Sequence, residues 1–236
     1  MSTPTRILIH GASGRMGQAL LRLAAERSDL EVVAAVARKI ESRAVDGVPQ
    51  FKVEELSGVP TFDVAIDFSL PEGFDGILSV CRSRHSALVS GTTGLSETQQ
   101  AALHAASGEI PVLWSANFSL GVAVLSDLVE RAAAALGDWD CDIVESHHIH
   151  KKDAPSGTAL ALGASAERGG AQPRYASLRA GDIVGEHLVQ FTTLGERIEL
   201  VHRATNRDIF ARGALHAAAR MSGRAPGRYQ LRDLLN

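Results

Sequence analysis

The chain has 236 residues, 45% of them apolar and 22% charged, with a net charge of −3 at neutral pH. That balance suits a globular protein with a sizeable core, built as one large domain or two small ones. It gives no reason to expect a nucleic-acid or membrane partner, so any anion site has to be local.

The opening stretch MSTPTRILIHGASGRMG has no basic leader or cleavage signal, and no later segment offers the ~18 uninterrupted apolar residues of a spanning helix. A cytoplasmic protein is expected. RILIH reads as a strand, followed by a glycine loop and a helix over about Arg15 to Glu26. EVVAAV, FDVAIDF, a helix after Pro71, ALVSG, a helix over about Glu97 to Ala106, and IPVLWS continue the alternation. Repeated strand and helix predict a parallel sheet with helices on both faces, and the nearly continuous apolar strands fit burial on both sides. Cys81 and Cys141 stand far apart in apolar settings, so they read as buried structural thiols rather than a disulfide or a metal centre.

After Asn117 the pattern changes. A helix over about Leu120 to Leu136 precedes the strand CDIVESH, a basic cluster and a helix over about Ser156 to Ala166. RGGAQPR reads as a mobile loop. YASLRAGDIV, EHLVQFTTL and ERIELVHRA then predict successive strands of an antiparallel or mixed sheet, separated by Gly185 and Gly195. The final helix, in DIFARGALHAAARMSG, is expected to pack back on the first unit. The predicted fold is therefore α/β: a Rossmann-like doubly wound parallel-sheet domain (residues 1–118 and 207–236) and an α+β domain with a mixed open sheet (119–206).

GASGRMG lies at the first strand-to-helix turn of the alternating region, where glycines permit a tight turn and close approach of a pyrophosphate to the free N–H groups of a helix. Its spacing is G-x-x-G-x-x-G, a variant of the usual fingerprint. Gly11, Ala12, Ser13, Gly14, Arg15, Met16 and Gly17 are the candidate contacts. At the end of the second strand, where an acidic residue would hold the ribose of NAD, stand Ala37, Arg38 and Lys39. The two cations are placed for a 2′-phosphate, so NADPH is the preferred cofactor, with NADH the alternative. As ligands lie beyond the carboxyl ends of parallel strands, Gly91, Thr92 and Thr93 of SGTTG and Ala116, Asn117 and Phe118 of SANF fall on the cofactor side. Phe68, closing the third strand, is taken with them.

In ESHHIHKKDAPSGTAL, Glu145 to Leu160, five basic side chains are crowded into an otherwise acidic chain. Ala154-Pro155 predicts an extended segment and a helix that starts at the proline, putting Ser156, Gly157 and Thr158 in its first turn. Their free N–H groups and the positive end of the dipole suit a carboxylate. A small polyanion is the expected ligand. The alternatives are a metal site, which lacks a ligand spacing and has lysines beside it, a solvated basic loop, and phosphate binding by a non-catalytic sensor.

GASGRMG, SGTTG, SANFSLGV, HHIHKKDAPSGTA and RAGDIVGEH, in this order, closely resemble the dihydrodipicolinate reductase family of the diaminopimelate and lysine pathway. The resemblance covers almost the whole chain, and its most specific part is the histidine-lysine stretch. Two departures stand out: the segment between Ala166 and Tyr175 is compact, and Ala37 replaces an often acidic residue. The resemblance implies reduction of a small cyclic dicarboxylate by a nicotinamide cofactor in a homotetramer joined through the second domain's sheet. It implies His147 as general acid/base, Lys151 as proton donor or charge stabiliser, His148 and Lys151 on one carboxylate, and Ser156, Gly157 and Thr158 on the other, with no metal. His150 is left a structural role and Lys152 has no assigned partner. Other classes are a redox sensor binding NADP without turnover, and another aspartate-pathway dehydrogenase, which should lack the basic stretch joined to DAPSGTA.

Overall fold

A computed structural model describes residues 3–235; Met1, Ser2 and Asn236, at the ends of the expected dinucleotide-binding domain, lie outside the described residues. The chain forms two compact units, one built from the chain up to Phe118 together with the chain from Phe210 onward, the other Ser119–Ile209. The first carries β1 (Thr5–His10), α1 (Arg15–Ala24), β2 (Leu30–Ala37), β3 (Ala44–Val45), β4 (Val48–Lys52), β5 (Val64–Asp67), α2 (Pro71–Arg84), β6 (Ala87–Ser90), α3 (Glu97–Ala106) and β7 (Pro111–Trp114). The second carries α4 (Leu120–Ala135), β8 (Asp140–His147), α5 (Gly157–Arg168), β9 (Pro173–Arg179), β10 (Gly185–Thr193) and β11 (Glu196–Ala204). The chain then returns to the first unit through α6 (Asp208–Met221) and β12 (Gly227–Tyr229).

The first sheet has the order β12-β7-β6-β5-β1-β2-β4-β3 and is parallel except for β3 against β4. Its middle is dry: Ile7, Leu8 and Ile9 are fully buried, each stabilising the fold by about 2 kcal/mol. Phe74, Ile77 and Leu78 of α2 and Leu103 of α3 pack onto Leu8, Leu88 and Val112. β1 lies between β2 and β5, so the chain leaves it towards one edge and later leaves β5 towards the other. That is the topological switch point, where a crevice opens beyond the carboxyl ends of the strands. Two edge additions were not legible in the sequence. β3 and β4 form a hairpin whose Asp46 and Gly47 both take positive φ, 48° and 79°, and three-residue β12 pairs with β7. Both are too short or too polar to carry periodicity and exist only because β2 and β7 offer unpaired edges.

The second sheet is mixed, in the order β11-β10-β8-β9, with β8 parallel to β9 and antiparallel to β10. Thus β9 and β10 are successive in sequence but not neighbours; β8 lies between them, and the chain at 180–184 is a crossing loop instead of a hairpin turn. Helices α4 and α5 cover one face through Leu125, Val129 and Leu162 against Ile143, Val189 and Phe191. RGGAQPR is fixed, contrary to expectation. Its first residues close α5 by Gly170 N–H to Glu167 C=O and Ala171 N–H to Ala166 C=O, Ala171 is buried, and Pro173 already belongs to β9.

Candidate functional sites

The glycine loop sits at the switch point. Gly11 has a φ of +80°, and a Cβ there would lie 2.5 Å from the Phe68 carbonyl oxygen; one at Gly17 would lie 2.3 Å from that of Gly11. Loop, helix and β5 therefore approach as only glycine allows. The N–H groups of Gly11 and Ala12 both donate to the Val36 carbonyl and that of Gly14 to the Gly11 carbonyl, each at 3.0 Å. These three residues shape the loop, which leaves Arg15, Met16 and Gly17 to present the N–H groups of the first turn of α1. That turn has no side-chain cap and no acidic residue, so an anion fits there. Ser13 is exposed on the loop. Arg38 and Lys39 project into solvent just beyond β2, and neither has an ion-pair partner among the described residues.

Beneath these loops, strand register builds a buried polar row, pairing His10 with Asp67 and Asp67 with Ser90. His10 Nδ1 lies 2.9 Å from Asp67 Oδ1, while the hydroxyls of Ser90 and Thr92 donate to Oδ2 at 2.9 and 2.8 Å. Burial pushes the Asp67 carboxyl up, but the bond and charge of His10, with bonds from Ser69 and Thr92, outweigh it and hold it below the ordinary range. Thr92 is consequently buried with its hydroxyl engaged, so what it can offer the cofactor side is backbone; Thr93 beside it is exposed. Phe118, on the SANF loop, is also inside. Its ring is buried 5.4 Å from that of Phe68 and so supports the wall from behind. Gly91 lies flat on Phe68, a Cβ there falling 2.2 Å from its ring. Ala116 is exposed and Asn117 half-buried.

In the second unit, β8 alternates strictly, with Cys141, Ile143, Glu145 and His147 on the buried face. The strand thus begins with apolar core residues and ends in a carboxylate and an imidazole. His147 Nδ1 lies 2.5 Å from Glu145 Oε2. Past it the chain turns out: His148 is half-buried, 3.4 Å from an Arg207 nitrogen, His150 is exposed, and their rings are 6.2 Å apart. Lys151 Nζ lies 2.8 Å from Asp153 Oδ1, and Lys152 is exposed. Helix α5 starts later than expected. Pro155, after a cis peptide bond, precedes the cap; Ser156 is the N-cap, Gly157 and Thr158 the first helical residues. Ser156 is buried, its Oγ accepting from Ala159 N–H and its own N–H donating to Glu145 Oε1 at 3.2 Å. These bonds join helix to strand and engage the Ser156 N–H and hydroxyl within the fold. Gly157 and Thr158 keep the helix-end position.

Sequence reasoning missed Glu145, Arg179 and His187. The available signal was a charged residue on the core face of a strand that is otherwise apolar at every second position. Arg179 grips Glu145 with both terminal nitrogens, at 2.9 and 2.8 Å. Burial pushes the Glu145 carboxyl up, yet the bonds from Arg179, Ser177 and His147 hold it at about 2. Burial first, with Lys151 and Arg179 adding, lowers His147 below the usual histidine range against the pull of Glu145. His187, opposite Glu145 in β10, is fully inside.

Two family models described as dihydrodipicolinate reductase, N-terminus and C-terminus, match residues 5–118 and 121–235. The chain belongs to the dihydrodipicolinate reductase family. It is 72% identical to the 4-hydroxy-tetrahydrodipicolinate reductase of Stenotrophomonas maltophilia (strain R551-3), over 99% of this chain and 98% of that one. It is 67% identical to that of Xanthomonas campestris pv. campestris (strain B100), over 99% of each. Its fold matches that of the dipicolinate-bound dihydrodipicolinate reductase from Paenisporosarcina sp. TG-14 with a TM-score of 0.82 at 22% identity, over 97% of this chain and 98% of that chain. In this dihydrodipicolinate reductase family member, the buried histidines carry a pH consequence. Burial, with the charges of His147 and His202, pushes His187 down to about 4, while Glu145 opposes and Lys151 reinforces. Because the folded value lies below the unfolded one, this contribution is fully present above about pH 6.5 and is lost as pH falls towards 4. It amounts to ~3 kcal/mol. The stability of the protein to urea should fall by at least about that much between pH 7 and 4, and His187→Leu should make the profile flatter. An unchanged slope would mean that His187 protonates freely in the fold.

Proposed function

We propose that the chain reduces 4-hydroxy-tetrahydrodipicolinate, or the dihydrodipicolinate derived from it, to tetrahydrodipicolinate in diaminopimelate and lysine biosynthesis. The observation that carries this is the junction of β8 and α5: a buried imidazole, a lysine and a helix N-terminus brought together by HHIHKKDAPSGTA, in a chain 72% identical to a reductase of that name. The bound nicotinamide would supply the hydride. The first turn of α1 would hold the pyrophosphate, with Gly91, Thr93, Ala116, Asn117 and Phe68 lining the remainder.

Hydride addition to a conjugated ring leaves an electron-rich atom that must take up a proton. Lys151 provides the cationic donor, and its partner Asp153 gives way when Lys151 turns to the ligand. His147, whose Nδ1 is committed to Glu145, exchanges protons through Nε2. His148 and Lys151 hold one carboxylate; the N–H groups at the start of α5 and the Thr158 hydroxyl hold the other. The test is NADPH oxidation followed by absorbance with freshly generated dihydrodipicolinate synthase product. Turnover at 1–1,000 per second is expected; no turnover with that product would refute the assignment.

NADPH is the preferred cofactor in this reading, supported by Arg38 and Lys39 standing exposed beyond β2 without an ion-pair partner among the described residues. Replacing both by alanine should raise KM for NADPH ten- to a hundredfold, the strength of one or two charge-assisted hydrogen bonds, and leave KM for NADH within a factor of two. Equal losses for both cofactors would remove the 2′-phosphate contact. A cytoplasmic homotetramer completes the reading. Cys81 and Cys141 are buried free thiols, as reducing surroundings favour, and Tyr175, Leu178, Ile198 and Val201 are exposed on β9 and β11, apolar area that association would cover.

A further inference from the structure

RAGDIVGEH, Arg179 to His187, was singled out by resemblance but has no part in the chemistry above. In the structure both of its ends close on His147. At one end Arg179 makes five hydrogen bonds: to Glu145 Oε2 and Oε1, to the carbonyls of Lys151 at 3.3 Å and Asp153 at 2.5 Å, and to that of Leu178 at 2.6 Å. At the other, a Cβ at Gly185 would lie 3.0 Å from His147 Nε2, and the His187 ring meets the His147 ring edge-on at 5.2 Å. Between them the backbone is laced to the same segment, Ala180 N–H to His147 C=O and Ile149 N–H to Gly181 C=O. We propose that Arg179 and Glu145 are positioning residues that fix His147 in one tautomer and hold the Lys151 loop in register with it.

Glu145 is ionised and can only accept, so the proton between it and His147 belongs to Nδ1, and Nε2 is left as the exchanging nitrogen. Arg179 neutralises the buried carboxylate that does this. The same planar guanidinium reaches the carbonyls on either side of Lys152, so the carboxylate behind His147 and the main chain of Lys151 are set by one rigid group. A lysine could supply the charge but not the fork. Gly185 keeps the approach to Nε2 open, since a side chain there would begin 3.0 Å from that nitrogen.

The proposal deepens the functional reading, since it takes His147 and Lys151 as the reacting groups, and its test has a readout independent of turnover. In the full chain with 15N-labelled histidine, His147 is expected in the Nδ1–H form. In Glu145→Gln, Arg179 claims the amide oxygen and turns the amide N–H towards Nδ1, so His147 should switch to Nε2–H. The kcat should fall about a hundredfold at pH 7.5 with KM within threefold. Glu145→Asp keeps the charge and should restore the Nδ1–H form with part of the rate, and should fold if the glutamine variant does not. Arg179→Lys should keep the tautomer yet lower kcat at least tenfold by freeing the Lys151 loop. A Glu145→Gln protein with the wild-type tautomer, or either variant with wild-type kcat, overturns the proposal. Failure of the functional reading would show differently, as wild-type protein without turnover or Lys151→Ala with full rate.

Discussion

Lys151→Ala is expected to lower kcat about a thousandfold while the protein melts within a few degrees of the wild type. Two effects add in kcat: loss of a positioned proton donor, on the order of 10²–10⁴ in rate, and loss of the positive charge facing the electron-rich product of hydride addition. Stability should hardly move. The Lys151–Asp153 pair sits on a loop with Asp153 about half exposed (57%), and such pairs are worth only ~0–1 kcal/mol. KM should also rise, since in the proposed reading Lys151 holds a substrate carboxylate in the ground state as well. Steady-state kinetics beside a thermal melt separates the outcomes. A kcat within threefold of wild type would take Lys151 out of the mechanism; a collapsed melt would mean that it is structural.

Gly17→Ala should have the largest effect on the first unit. The new methyl would stand 2.3 Å from the Gly11 carbonyl oxygen and 2.5 Å from the Ala12 Cα, both main-chain atoms that cannot rotate away. Either α1 slides off the loop or the loop opens. Overpacking against backbone costs ~3 kcal/mol or more, equivalent to roughly 10 °C in Tm for a unit of this size. The same displacement moves the first-turn N–H groups away from the place proposed for the pyrophosphate, so NADPH affinity should fall by more than tenfold. Binding measured by fluorescence titration decides whether the glycine loop is a nucleotide site: a destabilised variant that binds NADPH normally would place the nucleotide elsewhere.

Some of this molecule was legible because it is local. The alternation of apolar strands with helices, the glycine loop at the first strand-to-helix turn, and a Ser-Gly-Thr helix start after a basic run are patterns of neighbouring residues. Each follows from side-chain periodicity or from the unpaired N–H groups of a first helical turn. The glycine loop was expected to offer seven contacts, and the alternation predicted the doubly wound sheet. Where local preference misled, specific hydrogen bonds at the two ends of α5 were responsible. Pro155 did not open α5 because Ser156 caps it and is tied by its N–H to Glu145, and RGGAQPR is held by the bonds that close α5.

What the sequence by itself determined, then, is the order and type of the long elements, the place of the glycine loop, and the pairing of a basic run with a helix N-terminus. Only the tertiary structure decided which groups work on one another. Glu145 faces His187 across one strand pair, and His147 faces Arg179 across another, because β8 lies between β10 and β9 with that register. A shift by one residue would turn Glu145 and His147 to the opposite face. Likewise, whether an N–H of the glycine loop faces a ligand or the Val36 carbonyl depends on how β1 packs beside β2. Sheet order and register are set by burial summed over whole strands, so the partner of a buried charge is a property of the assembled sheet and cannot be read from its neighbours in sequence.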